Sequence, residues 1–374
     1  MASKPIVKPR PPSADQPPVD TERRRGRGAR SNLTGRFEAQ VREDCDDGWE
    51  GLAELAPFKT EVRLERARRI ISTNTSPDIG FDQSINPYRG CEHGCIYCYA
   101  RPTHCYLGLS AGLEFESVLI AKTNTAELLE SELARPNYRV KTIALGTNTD
   151  PYQPIEKTHT LTREILKIMD RTSHPVGIVT KSSLILRDLD LLASLAARGL
   201  VKVCLSVTSL DHRLARKMEP RATTPERRIE AIARLTEAGV PTGIMAAPII
   251  PAVNDGEIEA ILERCAKAGA REAGYVLLRL PLEISELFQD WLAQEFPDRA
   301  KRVMSLVRST RDGKDYVSAW RERQTGTGPY AELIAQRFII AAKRLGLNAE
   351  RAVLRHDLFT PPAVGTTQLD LFKS

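Results

Sequence analysis

Three cysteines lie close together in this 374-residue chain, at positions Cys91, Cys95 and Cys98. Thiolates at this C-x3-C-x2-C spacing can wrap one soft metal centre. A [4Fe–4S] cube has four irons, so three cysteine ligands leave one iron open for a substrate or cofactor. Gly90 and Gly94 allow the loop to turn sharply around such a centre. The residue types and their spacing therefore favour an iron–sulfur cluster with one open coordination site.

Two other interpretations of the same loop are a structural zinc site and a disulfide. Zinc normally takes four ligands, so His93 or His104 would have to supply the fourth. A disulfide is disfavoured because the N-terminus carries no apolar signal segment for export. Reduced thiols in a cytoplasmic protein fit an iron–sulfur cluster better than either alternative.

The segment NPYRGCEHGCIYCYARPTH, residues 86–104, resembles the cluster loop of radical S-adenosylmethionine (SAM) enzymes. Its C-x3-C-x-Tyr-Cys core is typical of that superfamily, and the longer string resembles the spore photoproduct lyase-like branch. The resemblance extends from about residue 73 to residue 362. It implies a [4Fe–4S] cluster on the three cysteines, with SAM at the open iron and Tyr97 beside the cluster. It also implies a flavodoxin- or ferredoxin-type reductant, and SAM cleavage to a 5′-deoxyadenosyl radical that abstracts hydrogen from a substrate.

A repeated strand–helix pattern follows the cysteine loop. Apolar runs alternate with amphipathic helices, which predicts a parallel sheet buried on both faces. Six such units, counting the strand before Cys91, predict an α/β fold built on a partial (β/α)6 TIM-type barrel. This is also the fold that the resemblance implies. The predicted strands after the first are residues 139–146, 176–180, 200–208, 241–250 and 274–280. Chemistry in such barrels lies at the carboxyl ends of the strands.

Polar residues follow the second predicted strand in the segment GTNTDPYQ. Gly146, Thr147, Asn148 and Asp150 are the candidates there. The resemblance implies that this position contacts the methionyl amino group of SAM, with the usual Gly-Gly-Glu replaced. The alternative is a turn built from residues that favour turns.

Further candidates follow the next two strands. Lys181 could pair with the SAM carboxylate as a point charge, and the alternative is a surface lysine. Ser206 and Thr208 have the spacing of residues on one face of a strand. The resemblance implies that one of them meets the ribose hydroxyls, and the alternative is buried hydroxyls bonded to the backbone.

Composition divides the chain into four parts. Residues 1–58 form a predicted disordered region, first basic and then acidic, in which RRRGRGAR at 23–30 is too polar to bury a core. The resemblance implies a radical SAM core at residues 59–281, and we predict a helical extension at 282–362 and an exposed tail at 363–374. The net charge of +6 permits a polyanionic partner such as DNA. No apolar run approaches the ~18 residues of a membrane span, so we expect a cytoplasmic protein.

The C-terminal tail contains a second resemblance. Gln368, Leu369, Asp370, Leu371 and Phe372 resemble the short peptide by which bacterial replication and repair proteins bind the DNA polymerase sliding clamp. Leu371 and Phe372 would enter an apolar pocket of the clamp. The alternative is a tail that folds onto its own barrel.

The residues leave several substrate classes open. The lyase-like relatives reverse a thymine dimer in DNA with a hydrogen-donating cysteine downstream of the cluster, whereas this chain has no cysteine between Cys105 and Cys204. Tyr152 is a candidate replacement, and Arg323, Gln324 and Tyr330 are candidates for a substrate entrance. The first hypothesis is a radical SAM enzyme acting on DNA, in a repair-type reaction. The alternatives are modification of a protein or small molecule, or a non-catalytic iron–sulfur module recruited to the clamp.

Overall fold

The computed structural model describes residues 26–38 and 59–363. The strands in these residues are β1 Glu61–Glu65, β2 Ile71–Thr73, β3 Gln83–Ile85, β4 Tyr88–Arg89, β5 Val118–Lys122, β6 Ile143–Leu145, β7 Val176–Thr180, β8 Val201–Ser206, β9 Thr242–Ile249 and β10 Glu272–Leu277. The helices are α1 Leu113–Ser117, α2 Thr125–Leu133, α3 Glu156–His159, α4 Leu161–Thr172, α5 Leu189–Ala197, α6 His212–Met218, α7 Pro225–Glu237, α8 Ile258–Lys267, α9 Glu283–Glu295, α10 Ala300–Ser309, α11 Glu322–Thr325 and α12 Gly328–Arg344. Short 3-10 helices span Arg101–Leu107, Ser183–Asp188 and Asp255–Glu257.

Six parallel strands form the main sheet in the order β3-β6-β7-β8-β9-β10. Strand β2 adds to β3 in the antiparallel direction at the edge. Within the described residues the two end strands, β2 and β10, do not pair with each other, so the sheet stays open. The prediction of an α/β fold with six βα units is confirmed, and each parallel strand directs its carboxyl end to the same rim of the sheet.

Helices α4, α5, α7 and α8 cover the outer face of this sheet. Their buried side chains join those of the strands in one large apolar cluster, which includes Ile165, Leu192, Ile232 and Leu262. Amphipathic helices must bury their apolar face against another element, and here the sheet provides that surface. The core therefore lies between the sheet and these helices and leaves the strand ends free for polar residues.

A second, three-stranded sheet lies beside the main one. Strand β5 pairs in parallel with β1, as in the register Glu61 to Val118, and in the antiparallel direction with β4, as in Tyr88 to Ala121. Strand β5 therefore belongs to this small sheet and not to the main one. Because β4 ends two residues before Cys91, the small sheet holds the entrance of the cysteine loop in place.

Helices α9 to α12 follow β10. Trp291 on α9 is 1% exposed, and its indole N–H donates to the backbone oxygen of Lys217 over 3.1 Å. The apolar cluster around Trp291 also contains Ile96 and Tyr97 of the cysteine loop. Helices α9 and α10 therefore form part of the wall behind that loop.

The N-terminal residues 26–38 differ from the prediction. The segment RRRGRGAR was expected to be disordered, but Arg27 and Ala29 are buried. The backbone N–H groups of Gly28 and Ala29 donate to the carboxylate of Glu116 at 2.8 and 2.7 Å. The prediction was wrong here because it did not foresee Glu116, a buried carboxylate that needs hydrogen-bond donors. We call residues 26–38 the N-terminal strap.

The remaining predictions for the termini concern residues outside the described ranges. The acidic stretch at 43–54, the first part of the basic arm and the peptide Gln368–Phe372 are among them. In the ranges that are described, no helix is long and apolar enough to cross a membrane.

Candidate functional site

The cysteine loop is a series of tight turns after β4. The backbone N–H of Gly94 donates to the oxygen of Cys91 at 3.3 Å, and that of Cys98 donates to the oxygen of Cys95 at 3.2 Å. Gly90 adopts φ +74° and a side chain there would approach Leu119 within 2.8 Å. Only glycine fits such a left-handed, crowded position without strain. The loop thus follows the sharp path that the sequence predicted.

The three thiols are surrounded by protein. Burial raises the pKa of Cys91 well above its usual range, and the negative charge of Asp150 and the other two cysteines add to this effect. Burial also raises the pKa of Cys98. Thiols in such a place stay protonated until a metal displaces the protons. Two buried cysteines, Cys91 and Cys95, and the partly exposed Cys98 fit the ligand set of an iron–sulfur cluster with one open iron.

The two histidines that could complete a zinc site have other partners. His93 Nδ1 lies 3.4 Å from a carboxylate oxygen of Asp150. His104 Nε2 lies 2.9 Å from the backbone oxygen of Val118, and its ring packs edge-on against Phe115. In the described residues, no group of three or more His, Cys, Asp or Glu side chains is arranged to hold a single metal ion. A cluster that spreads its three cysteines over three irons does not require that arrangement.

Asp150, a predicted SAM contact after β6, is engaged within the protein. One oxygen accepts from Thr180 Oγ1 at 2.6 Å and from the backbone N–H of Tyr152 at 2.9 Å. The other accepts from the backbone N–H of Lys181 at 2.8 Å. Burial would raise the pKa of Asp150, but His93 and these donors lower it to about 2. The carboxylate therefore fixes the ends of β6 and β7 relative to the cysteine loop.

The turn at 146–149 is organised by a residue that the sequence analysis missed. Asn86, before β4, accepts the backbone N–H of Asn148 at 3.1 Å and contacts Thr147 Oγ1. Gly146 has φ +85°, and a Cβ there would lie 1.9 Å from the backbone oxygen of Val179. Gly146 is thus required by close strand packing, whereas Thr147 and Asn148 stay partly exposed at the rim.

Four of the remaining candidates gather around Glu219, which is 2% exposed. Its carboxylate accepts from Thr208 Oγ1 at 2.6 Å and from the hydroxyl of Tyr97. Lys181 Nζ lies 3.8 Å from it and 5.8 Å from the centre of the Tyr97 ring. The backbone oxygen of Ser206 belongs to the same group, because it accepts from Arg228, which also pairs with Glu219.

Glu219 stays ionised although it is buried. Burial would raise its pKa, but Arg228 and Lys181 lower it to about 2. Arg228 is itself 1% exposed, so the pair is a buried ion pair with further hydrogen bonds on both sides. Lys181 is only loosely attached to this pair, and it is close enough to lower the pKa of Cys95 against the larger effect of burial.

Sequence reasoning missed Glu219, Arg228 and Asn86. A signal existed for Arg228, because it falls on the apolar face of α7 with Ala231, Ile232 and Leu235. A charged residue on that face must have a buried partner. Glu219 and Asn86 lie in loops, where no periodicity marks the buried side chains.

Other candidates are dispersed. Tyr152 lies in the main core at 1% exposure. Tyr330 on α12 donates to Asp255 at 2.5 Å, and Arg323 pairs with Asp78 near the rim. Cys105 is fully buried, and its pKa is raised first by burial and then by Glu283.

The segment that contains the cysteine loop matches the model of a known protein family. The family model described as the Radical SAM superfamily matches residues 85–265, which include the cysteine loop and four complete parallel strands, β6 to β9. The chain belongs to the radical SAM superfamily. Members of this superfamily use a [4Fe–4S] cluster and SAM and require a one-electron reductant, so this chain is an enzyme of that type.

Similar sequences occur in bacteria and archaea. An uncharacterised protein of Mycobacterium tuberculosis is 39% identical over 230 residues, which cover 61% of this chain and 68% of that protein. An uncharacterised protein of Methanocaldococcus jannaschii is 30% identical over 240 residues, or 64% of this chain and 85% of that one. Because both relatives are uncharacterised, they indicate no reaction for this chain.

Among solved structures, the radical SAM chain is similar to spore photoproduct lyase complexed with dinucleoside spore photoproduct. The TM-score is 0.57, with 14% identity over 82% of this chain and 86% of the lyase. At this identity the likeness shows the fold. It supports the predicted partial-barrel architecture.

Proposed function

We propose that this radical SAM enzyme acts on a nucleic acid, with DNA in a repair-type reaction as the first candidate. The observation that carries the proposal is Tyr99, which directly follows Cys98 and is 46% exposed. Its hydroxyl donates to the backbone oxygen of Thr147, so the ring is fixed at the rim. A fixed, exposed aromatic face beside the cluster loop suits a stacked base. The likeness to a lyase bound to a dinucleoside agrees with this choice.

The proposed cluster ligands are Cys91, Cys95 and Cys98. When bound, the cluster and SAM supply a 5′-deoxyadenosyl radical that abstracts hydrogen from the substrate. The surrounding protein excludes water and competing hydrogen donors. Asp150 and Asn86 hold the β6 turn and the start of the cysteine loop in register.

The proposed SAM contacts follow from which groups remain available. Lys181 can meet the carboxylate, since Glu219 already has Arg228 as its main partner. Thr147 and Asn148 can meet the amino group at the rim. Ser206 can meet the ribose. Tyr97 and Thr208 help to position these contacting residues through their hydrogen bonds to Glu219. Gly146 and Asp150 help by fixing the backbone at the ends of β6 and β7.

The experiment compares SAM cleavage with different substrates. Reduced, oxygen-free holoprotein is incubated with SAM and irradiated DNA, intact DNA, a peptide digest or no substrate. We expect 5′-deoxyadenosine to rise only with DNA, together with an altered nucleoside detected by mass spectrometry. A rise with the peptide digest alone would overturn the nucleic-acid proposal in favour of protein modification. SAM cleavage that no substrate changes, with no altered nucleoside, would also overturn it.

Recruitment by the peptide Gln368–Phe372 is a separate proposal. An apolar Leu371-Phe372 pair in a polar tail would suit an apolar pocket on the sliding clamp. Clamp capture with the full chain and with a chain ending at residue 367 tests this. Equal capture by both would refute it.

A further inference from the structure

Arg279 is a cation at the rim that forms no ion pair with any carboxylate in the described part of the chain. It lies two residues past the end of β10, and its guanidinium carbon is 5.1 Å from the ring centre of Tyr99 and 6.0 Å from that of Tyr316. Its Nε is buried without a hydrogen-bond partner, and no described carboxylate forms an ion pair with this side chain. Two aromatic rings therefore hold the guanidinium, and its terminal nitrogens remain available for a ligand.

A second arginine lies behind the first. Arg311 is 1% exposed and donates to the backbone oxygens of Leu278 at 3.0 Å and Glu322 at 2.7 Å. These bonds fix the end of β10, from which Arg279 projects. Burial and then the charge of Arg279 lower the pKa of Arg311 to about 10. Two neighbouring guanidinium groups repel each other, so an anion at this place would be stabilised by both.

The carboxylate in this region is already engaged. Asp78 is close enough to Arg279 for their charges to interact. Its oxygens, however, accept from the backbone N–H of Arg321 at 2.6 Å and from Arg323 Nε at 2.5 Å. Asp78 therefore anchors the segment 321–323 and leaves the hydrogen-bond donors of Arg279 unused.

We propose that Arg279, held between Tyr99 and Tyr316, binds a backbone phosphate of a single nucleic-acid strand whose base stacks at the rim. This proposal rests on the proposed function and names the residue that would position the strand. A guanidinium fork matches two phosphate oxygens, and such charge-assisted bonds are the strong ones. The ring of Tyr99, which is 46% exposed and lies next to the arginine, offers the aromatic surface that strand-binding proteins combine with positive charge.

The test measures strand binding directly. Oxygen-free holoprotein is titrated into a fluorescently labelled single-stranded oligothymidylate, and anisotropy is followed at several salt concentrations. Arg279→Gln should bind about tenfold or more weakly, because one charge-assisted contact is lost. The slope of log affinity against log salt should fall by about 0.7, the value for one phosphate contact on a single strand.

Matched variants separate this site from general charge. Arg234→Gln removes the same charge from the exposed face of α7 and should bind as the wild type does. Arg279→Lys keeps the charge but not the planar fork, so its affinity for the strand should lie between that of the wild type and that of Arg279→Gln. Tyr316→Leu leaves the arginine in place with one aromatic face removed, and should lose about two- to fivefold in affinity. It also provides a second measurement if Arg279→Gln does not fold.

The outcomes distinguish the two proposals. If the wild type binds the strand and Arg279→Gln binds equally well, the phosphate site is refuted while the proposed function stands. A loss of affinity that is equal in Arg279→Gln and Arg234→Gln would also refute the site. If the wild type does not bind nucleic acid at any salt concentration tested, both the site and the proposed function are overturned.

Discussion

The ammonium group of Lys181 lies 3.8 Å from a carboxylate oxygen of Glu219 and 5.8 Å above the ring of Tyr97. Both neighbours have closer partners than Lys181, since Glu219 pairs with Arg228 and the Tyr97 hydroxyl donates to Glu219. Lys181 is therefore a cation beside the cysteine loop with only a long contact to its neighbour. This arrangement would allow it to turn toward an incoming carboxylate.

Replacing Lys181 should weaken SAM binding. Lys181→Met removes the proposed partner of the SAM carboxylate, and we expect the dissociation constant to rise about tenfold or more. Isothermal titration of oxygen-free holoprotein with SAM measures it. Lys202→Met is the matched control, because Lys202 pairs at 3.2 Å with Glu272 away from the cysteine loop. Equal dissociation constants for Lys181→Met and the wild type would remove Lys181 from the site.

Neutralising Glu219 should destabilise the fold. Glu219→Gln leaves Arg228 buried without its counter-charge, which typically costs about 3–5 kcal/mol of unfolding free energy. Denaturant unfolding of the wild type and the variant measures the difference. Glu263→Gln, which breaks an exposed pair with Lys267, should change stability by less than about 0.5 kcal/mol.

A double variant tests whether the unpaired charge of Arg228 causes the loss of stability. Combining Glu219→Gln with Arg228→Met removes both charges, and we expect part of the lost stability to return, because the uncompensated buried cation is gone. If the double variant loses the sum of both single effects, the two charges are not coupled in the way that the geometry indicates.

The N-terminal strap should detach when its tightest contact is blocked. A side chain at Gly28 would meet the backbone oxygen of Gly94 at 1.9 Å, so Gly28→Ala cannot keep the strap against the cysteine loop. We expect faster tryptic cleavage after Arg27 and Arg30 in this variant. Gly26→Ala is the control in the same strap, since its side chain would have open space and costs only about 1–2 kcal/mol of backbone strain at φ +74°. Equal cleavage rates for Gly28→Ala and wild type would show that the strap does not depend on this contact.

His174 should make the protein sensitive to acid. Its ring is buried between the hydroxyl of Tyr138, 2.7 Å from Nε2, and the backbone oxygen of Pro175, 3.0 Å from Nδ1. Burial is the main reason why its pKa falls to about 4. The unfolded chain has a His pKa of about 6.5, so it binds more protons than the folded state between these values. The stabilisation of the folded state by the neutral, buried His174 ring is complete above about pH 6.5 and is lost as pH falls toward 4.

The contribution of His174 to the unfolding free energy that is lost on acidification amounts to roughly 3 kcal/mol for a pKa shift of this size. His174→Phe removes the titrating group and keeps an aromatic ring against Phe359. We expect the unfolding free energy of this variant to fall less than that of the wild type between about pH 7 and about pH 4. His212→Gln, at an exposed position, should follow the wild type. Parallel pH dependence in the wild type and His174→Phe would contradict the assignment.

The strands, the covering helices and the cysteine loop could be predicted because each leaves a local pattern. Apolar runs mark β7 and β8, and the glycines at 90 and 94 mark the turns around the three cysteines. The ion pairs that fix the site leave no such pattern. Glu116 binds strap residues more than 80 positions away in the sequence, and Glu219 is one loop residue among many. The spacing of Arg228 was the one signal that could have revealed a buried charge.

The central claim is that Cys91, Cys95 and Cys98 hold a cluster whose open iron binds SAM. The most direct measurement is 5′-deoxyadenosine formed by oxygen-free reconstituted protein with SAM and dithionite. We predict that the wild type and Cys204→Ala, a cysteine in the middle of β8, form the product, and that Cys95→Ala forms none. Cys95→Ala that forms as much 5′-deoxyadenosine as the wild type would contradict the account.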